Sequence, residues 1–497
     1  MEILILSLYT LCLVFIALYS LGQLHLIYLY FKNRRAKKSL PDLVLLDTSS
    51  TTQVPYVSIQ LPIYNELYVV EGLIDAVCAF NYPKNRLEIQ ILDDSNDQTV
   101  QIIASKVAYY QARGVDIQHV RRRKREGFKA GALAHGLTIC KGEFIAIFDA
   151  DFLPRADFLR QTIPFFANPK IGLVQTRWEH LNENYSLLTR LQAMALDAHF
   201  SIEQMGRNMG HFMNFNGTAG VWRKTCIEDA GGWKSDTLTE DLDLSYRAQL
   251  KGWEFQYLNN IGTPAQLPIT MNAFKSQQFR WVKGAAECAR KNLRSVICSE
   301  QNLGTKIHAA LHLLNTSVFI HVLVISFLAL PVALVGNYYS EYYPVVVRIS
   351  NLSGVSFILA LFFYIAYRDK REISLGSSLC FIVKFSLFVC VSMGLALQNG
   401  IGVFEGYLGK KTPFARTPKF NLVKQAENWK QNKYTSSKIS PFLLLETLLL
   451  VYFIIGIIFG FYLEQLSSIL FHSMLVIGYG IVCGYSYYHR LCRTSKS

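Results

Sequence analysis

The chain contains no C-x-x-C pair, and its ten cysteines are scattered from Cys12 to Cys492. That spacing argues against a zinc site and a disulfide framework, and it suits a reduced, cytosol-facing domain. Acidic residues are in short supply: 36 Asp and Glu stand against 50 Lys and Arg, a formal net charge of +14. The basic excess clusters at 32–38, 121–125, 410–433 and from His489 onward. Aromatic residues do not interleave with these runs and no nucleic-acid-binding module is recognisable, so nucleic acid is not expected as a partner. Three of the clusters lie beside apolar stretches, as in the positive-inside pattern of cytoplasmic loops. No basic residues precede the first apolar run, 3–31; they follow it. This argues against a signal peptide and for a spanning helix with its N-terminus outside.

About half of the residues, 51%, are apolar, yet the middle of the chain is charged. This mixture predicts a polytopic membrane protein with one soluble domain. Further apolar stretches occupy 306–335, 355–367, 375–397, 441–463 and 466–488. The basic loop at 410–438 and the basic tail after 488 both belong with the soluble domain in the cytoplasm. An even number of crossings must therefore separate domain and loop. The 355–367 stretch falls well short of the ~20 residues a spanning helix needs, so it is expected to be an outer or re-entrant segment. Five spans result, one before the domain and four after it. Between 281 and 306, apolar positions recur at near-helical spacing opposite Lys283, Glu287, Arg290, Lys291 and Arg294. This pattern suits a helix lying in the membrane interface, and equally a soluble amphipathic helix.

Residues 53–268 alternate between strand-like and helix-like runs. Val57-Ser58-Ile59-Gln60-Leu61-Pro62 is a short strand, Leu87-Glu88-Ile89-Gln90-Ile91-Leu92 stops at Asp93-Asp94, and Phe144-Ile145-Ala146-Ile147-Phe148 ends at Asp149-Ala150-Asp151. Such alternation predicts a largely parallel sheet with helices on both faces, and ligands at the carboxyl ends of its strands. Asp93, Asp94, Asp149 and Asp151 then share one rim. Two more clusters follow in order, Thr239-Glu240-Asp241 and Gln277-Gln278-Phe279-Arg280-Trp281. An Asp-x-Asp alone is common by chance, but four such motifs in sequence are not.

The ordered set D, DxD, TED and QxxRW resembles the processive family-2 glycosyltransferases. Gly127-Phe128-Lys129-Ala130-Gly131, Val174-Gln175-Thr176-Arg177-Trp178, Leu188-Thr189-Arg190-Leu191-Gln192 and Phe215-Asn216-Gly217-Thr218 place it nearest the cellulose-synthase-like A and C types and their bacterial relatives. The resemblance covers about 55–283 well and the spans only in arrangement. It implies an α/β GT-A (nucleotide-diphospho-sugar transferase) domain inserted in an α-helical transmembrane protein. The limits read as an N-terminal span at 1–38, the GT-A domain at 50–283, an interfacial helix at 284–305 and transmembrane segments at 306–404. A cytosolic gating-like loop at 405–440 and two C-terminal spans with a basic tail at 441–497 complete the chain.

The resemblance also implies roles. Pro62, Glu66, Asp93, Asp94, Lys129, Asp149, Gln277 and Arg280 would bind the donor, a UDP- or GDP-hexose. Asp149 and Asp151 would hold Mg²⁺ or Mn²⁺, Asp151 more firmly. Asp241 would be the general base, oriented by Thr239 and Glu240, with Arg280 stabilising the leaving diphosphate. Trp281, Asn216, Gly217 and Thr218 would contact the acceptor, a growing glycan or a lipid. Thr417 and Lys419, in Phe414-Ala415-Arg416-Thr417-Pro418-Lys419-Phe420, would belong to a loop closing over the donor. Asn216 stands where cellulose synthases commonly carry Cys. No cyclic-di-GMP-binding domain follows the last span, so regulation by that nucleotide is not expected. The implied protein lies among membrane lipids as a multi-pass protein of the plasma or inner membrane, or of the Golgi. It would elongate a β-linked mannan, glucomannan or glucan. A non-processive ceramide-type glycosyltransferase is the alternative, and a transporter or scaffold with an inactive transferase domain a third.

Overall fold

Seven strands form one mixed sheet in the order β3-β2-β1-β4-β6-β5-β7 in the computed structural model. The structure describes residues 1–37, 54–208, 210–339, 356–372, 374–421 and 442–494, with isolated positions between them. The expected domain limits at 38, 50 and 440 lie outside the described residues, as does most of the loop beyond 421. The strands are β1 (Val57–Ile63), β2 (Leu87–Asp93), β3 (Ile117–Arg121), β4 (Phe144–Ile147), β5 (Ile171–His180), β6 (Gly220–Arg223) and β7 (Glu254–Ala265). The β1, β2, β3 and β4 strands are parallel, as expected. The β6 strand departs from that expectation, running antiparallel to both β4 and β5. Its reversal has a consequence: Gly220 opens the strand opposite Ile147, the last residue of β4. The segment 216–219 therefore meets the same rim as the carboxyl ends of β1 and β4.

The alternation in β1 and β2 looks like a half-exposed sheet, yet both faces are buried. Val57, Ile59, Ile89 and Ile91 pack on one side. On the other, Ser58 donates to Glu88 at 2.5 Å and Gln60 to Gln90 at 3.0 Å, beneath the Phe128–Ile139 helix. Buried polar side chains persist where they satisfy one another. Gly136 of that helix permits the approach, since a Cβ there would stand 2.6 Å from Gln60 Nε2.

Among the described residues, five helices are long and apolar enough to cross a membrane: Glu2–Arg35, Asn315–Tyr338, Leu375–Gly394, Phe442–Tyr462 and Leu466–Leu491. Two stretches behave differently from the sequence expectation. The short helix Ser356–Arg368, expected as an outer or re-entrant segment, ends against the soluble domain: just past its end Asp369 pairs with Arg34, Lys370 with Asp197 and Arg371 with Glu183. The Leu375–Gly394 helix keeps both flanks on that side as well. Arg371 precedes it, and Gln398 just after it donates to the Lys275 carbonyl at 2.7 Å. Between those ties Phe381 packs with Met194, and Val391 with Leu188 and Leu191. Length and hydropathy alone do not separate a helix that crosses from one lying along an apolar domain face.

Within the region expected as an interfacial helix, 284–305, a separate helix begins at Leu303, while residues 284–297 are the second half of one 27-residue helix, Met271–Ile297, capped by Thr270. The limit at 283 falls in its middle. Its basic face is not free: Lys283 is fully buried and donates to Glu405 at 2.9 Å. Lys275 donates to Glu446 of the Phe442–Tyr462 helix at 2.6 and 2.7 Å, with both side chains buried. These pairs clamp the helix between the soluble domain and the apolar helices. Removing one partner strands a buried charge, at a cost of about 3–5 kcal/mol. Lys275→Met is therefore expected to lower the thermal midpoint of the detergent-solubilised protein sharply, and Lys275→Met with Glu446→Leu to recover much of the loss. A single variant as stable as the exposed control Lys124→Met would contradict this role.

Candidate active site

An open cleft lies at the rim where β1, β2 and β4 end. Among the sequence-predicted residues, Pro62, Glu66, Asp94, Lys129, Asp149, Asp151, Asn216, Gly217, Thr239, Glu240, Asp241, Gln277, Arg280, Trp281, Thr417 and Lys419 all line it. Asp93 and Thr218 do not. Asp93 is turned into the domain, where it accepts from His119 Nε2 and from the Ser95 backbone N–H, both at 2.8 Å. Burial pushes its carboxyl up, but those hydrogen bonds outweigh it and hold it below the usual range. Thr218 is buried behind the rim, and its hydroxyl accepts from the Asp149 backbone N–H at 2.9 Å. Both residues stand behind the lining of the cavity and support it from there.

The charges at the rim neutralise one another in pairs. Lys129 Nζ donates to Asp149 Oδ1 at 2.6 Å and to the Gly217 carbonyl at 2.9 Å, with Glu240 4.0 Å away. Burial alone would lower the lysine's pKa, but the facing carboxylates raise it. Lys419 donates to Asp151 Oδ2 at 2.6 Å. The other oxygen, Asp151 Oδ1, is buried and has no partner among the described residues. Arg416 forms a two-pronged pair with Glu66, at 2.9 and 3.1 Å. Burial pushes the Glu66 carboxyl up to about 7 against the pull of that guanidinium. The Asp149 and Asp151 carboxylates, with that orphaned oxygen, fit a hard divalent cation such as Mg²⁺ or Mn²⁺. No group of three or more protein ligands converges among the described residues. Mg²⁺ commonly completes its shell with phosphate oxygens and water.

Asp241 lies in the first turn of the Glu240–Leu250 helix. Burial raises its carboxyl to about 7, helped by neighbouring Glu240 and opposed by Lys129. Gly217 (φ +80°) is required beside it, because a Cβ there would stand 2.9 Å from Asp241 Oδ2. Thr239 does not cap the helix through its side chain. It packs instead on Gly284 of the Met271–Ile297 helix, where a Cβ would meet Thr239 at 2.6 Å. Glu287 of that helix accepts from the Leu238 backbone N–H at 2.7 Å, and Asn292 donates to Asp243 at 3.1 Å. One helix thus carries Gln277, Arg280 and Trp281 and also holds the Thr239-Glu240-Asp241 segment in place.

The segment 414–420 covers the cavity. Phe414 stacks on Phe128 at 5.8 Å, and the Arg280 guanidinium lies 4.8 Å from the Phe414 ring centroid. Arg416 was visible in the quoted motif but was not singled out, because nothing in the letters pairs it with Glu66, 350 positions earlier. Arg125, over the Tyr64 ring at 3.4 Å, and Trp178 also line the cavity and were not selected. The basic run 121–125 and the 174–178 motif were the available signals.

A mixed sheet with a carboxylate-lined rim at the strand ends is the architecture of GT-A nucleotide-sugar transferases. A mannosyltransferase from Pyrobaculum calidifontis, solved in complex with GDP-Man and Mn²⁺, shares this fold: TM-score 0.51, 17% identity, covering 80% of this chain and 99% of that one. Residues 55–284 match the family described as Glycosyltransferase like family 2. Similar proteins include probable glucomannan 4-beta-mannosyltransferase 4 of Oryza sativa subsp. japonica, 45% identical over 272 residues, 54% of this chain and 49% of that protein. Glucomannan 4-beta-mannosyltransferase 1 of the same plant is 39% identical over 341 residues, 65% of each chain. The chain thus spans about half to two thirds of the length of these curated relatives.

The Thr239–Gly284 contact makes a prediction. Gly284→Val places its methyl groups where Thr239 stands, and the motif must shift. A displacement of 1 Å in such a site can cost roughly 10²-fold in rate. Sugar transfer by membranes carrying Gly284→Val is expected to fall by about that factor, with the protein still accumulating. Near-normal transfer would show that the contact does not position the motif.

Proposed function

We propose that this chain is a membrane-embedded, inverting and processive glycosyltransferase that elongates a β-linked mannan or glucomannan from GDP-mannose on the cytosolic side. The observation that carries this reading is the convergence of Asp241, Arg280, Trp281, Asp149 and Asp151 on one cavity, with Arg280 and Trp281 on a helix that also packs against the apolar bundle. Similarity to plant glucomannan mannosyltransferases favours the mannosyl donor and the polymeric product.

In this mechanism Asp241 takes the proton from an acceptor hydroxyl. The hydroxyl oxygen attacks the anomeric carbon from the face opposite the diphosphate. The bond from that carbon to the phosphate oxygen breaks, and the diphosphate leaves with the electron pair. One base and no covalent intermediate give inversion, from an α-linked donor to a β-linked product. Arg280 and Lys129 supply fixed positive charge where the leaving group becomes negative. A divalent cation held by Asp149 and Asp151 would neutralise the diphosphate when bound. Lys419 and Arg416, now paired with Asp151 and Glu66, belong to the loop that closes over the donor. Trp281 offers a flat apolar face to the acceptor sugar, beside Asn216 and Gly217.

The test is incubation of membranes with labelled GDP-mannose or UDP-glucose and Mg²⁺ or Mn²⁺, followed by digestion. Polymer from GDP-mannose that endo-β-mannanase degrades is the expected result. A single-sugar glycolipid would replace this reading with lipid glycosylation, and no turnover of either donor would replace it with a non-catalytic role. Asp241→Asn is expected to abolish transfer while GDP-mannose still binds; retained turnover would remove Asp241 as the base. Because the base must be ionised and its pKa sits at about 7, kcat/KM is expected to rise with pH across that value. A flat profile from pH 5.5 to 8.5 would contradict the assignment.

A further inference from the structure

His199 begins a π-helical turn, His199–Gln204, that follows the Leu187–Ala198 helix. Such turns are rare and are concentrated at functional sites. Its two ring nitrogens face two acceptors. Nδ1 lies 2.9 Å from Glu203 Oε2, and Nε2 lies 2.9 Å from Asn216 Oδ1. A carboxylate can only accept, so Nδ1 carries a proton. Burial pushes the Glu203 carboxyl up, but His199, Arg207 and Gln23 together hold it down at about 2, so it is ionised.

The other nitrogen faces the Asn216 amide. Asn214 Nδ2 donates to Asn216 Oδ1 at 2.9 Å, and Asn214 Oδ1 in turn accepts from Gln204 Nε2 at 3.2 Å. Gln204 Nε2 also donates to the Asn214 carbonyl at 3.1 Å, which leaves its longer 3.3 Å approach to His199 Nε2 secondary. Asn216 Oδ1 thus lies 2.9 Å from both Asn214 Nδ2 and His199 Nε2. The other end of the amide, Asn216 Nδ2, is buried and has no partner among the described residues, and the residue lines the cavity beside Gly217 and Trp281. A buried amide N–H₂ with no acceptor is costly unless a ligand supplies one.

We propose that His199 is a positioning residue that fixes the Asn216 amide so that its Nδ2 donor faces a hydroxyl of the acceptor sugar. Glu203 holds the ring from behind and accepts from Gln23 Nε2 at 3.2 Å. Gln23 lies on the N-terminal apolar helix, so the grip on the acceptor is linked to the membrane-crossing part of the chain. This inference rests on the transfer reaction proposed above.

The experiment compares His199→Ala with His199→Gln in membranes supplied with GDP-mannose and a short β-mannan oligosaccharide. Glutamine places its Nε2–H donor the same number of bonds from the backbone as the imidazole Nε2. His199→Ala is expected to raise the acceptor KM about 10-fold, the scale of one buried hydrogen bond, while the GDP-mannose KM stays within 2-fold. His199→Gln is expected to recover most of the loss. An unchanged acceptor KM in His199→Ala, an equal rise in both KM values, or no recovery in His199→Gln would overturn the proposal. Wild-type membranes that extend no oligosaccharide would overturn the transfer reading itself, and this inference with it.

Discussion

The buried lysine–glutamate pairs on the Met271–Ile297 helix hold the molecule together as one device. Lys275 with Glu446 and Lys283 with Glu405 join helices far apart in sequence, with three of the four side chains nearly or fully hidden from solvent. Buried ion pairs are weak sources of net stability but strong sources of uniqueness where geometry and partners match. Here they set where Gln277, Arg280 and Trp281 point. Through Gly284, Glu287 and Asn292 the same helix sets the place of the Thr239-Glu240-Asp241 segment. The candidate site and the apolar helices therefore share one rigid element, with Trp281 at the cavity and Lys275 in the bundle.

The rim shows the same economy of charge. Without a ligand, Lys129, Lys419 and Arg416 face Asp149, Asp151 and Glu66. Two of these three cations, Lys419 and Arg416, sit on the covering segment 414–420, so in the proposed reaction a diphosphate competing for them would also pull on that segment.

Much of the site was legible in the letters because its residues occur at strand ends and in short motifs. Asp94, Asp149 and Asp151 follow hydrophobic runs that could only be strands, and the topology of parallel strands puts their ends on one rim. The antiparallel β6 was not legible, since four residues carry no directional signal. Asp93 and Asp94 differ by one position, and strand alternation turns one inward to His119 and the other to the cavity. No composition rule distinguishes them without the neighbours. The apolar stretches 355–367 and 375–397 were ranked by length, whereas ion pairs to Asp197 and Glu183 decide where their ends lie.

The sequence by itself determined the class of chemistry, through the order of its acidic clusters and the Gln277–Trp281 motif, and the presence of apolar helices around one α/β domain. Only the tertiary structure decided which carboxylates face the cavity, that Arg416 meets Glu66, that the helix starting at Met271 runs unbroken past 283, and that His199 bridges Glu203 and Asn216. The reason is physical. Local runs encode periodicity and strand ends, but a buried charge or amide is defined by its partner, and these partners lie up to hundreds of residues away.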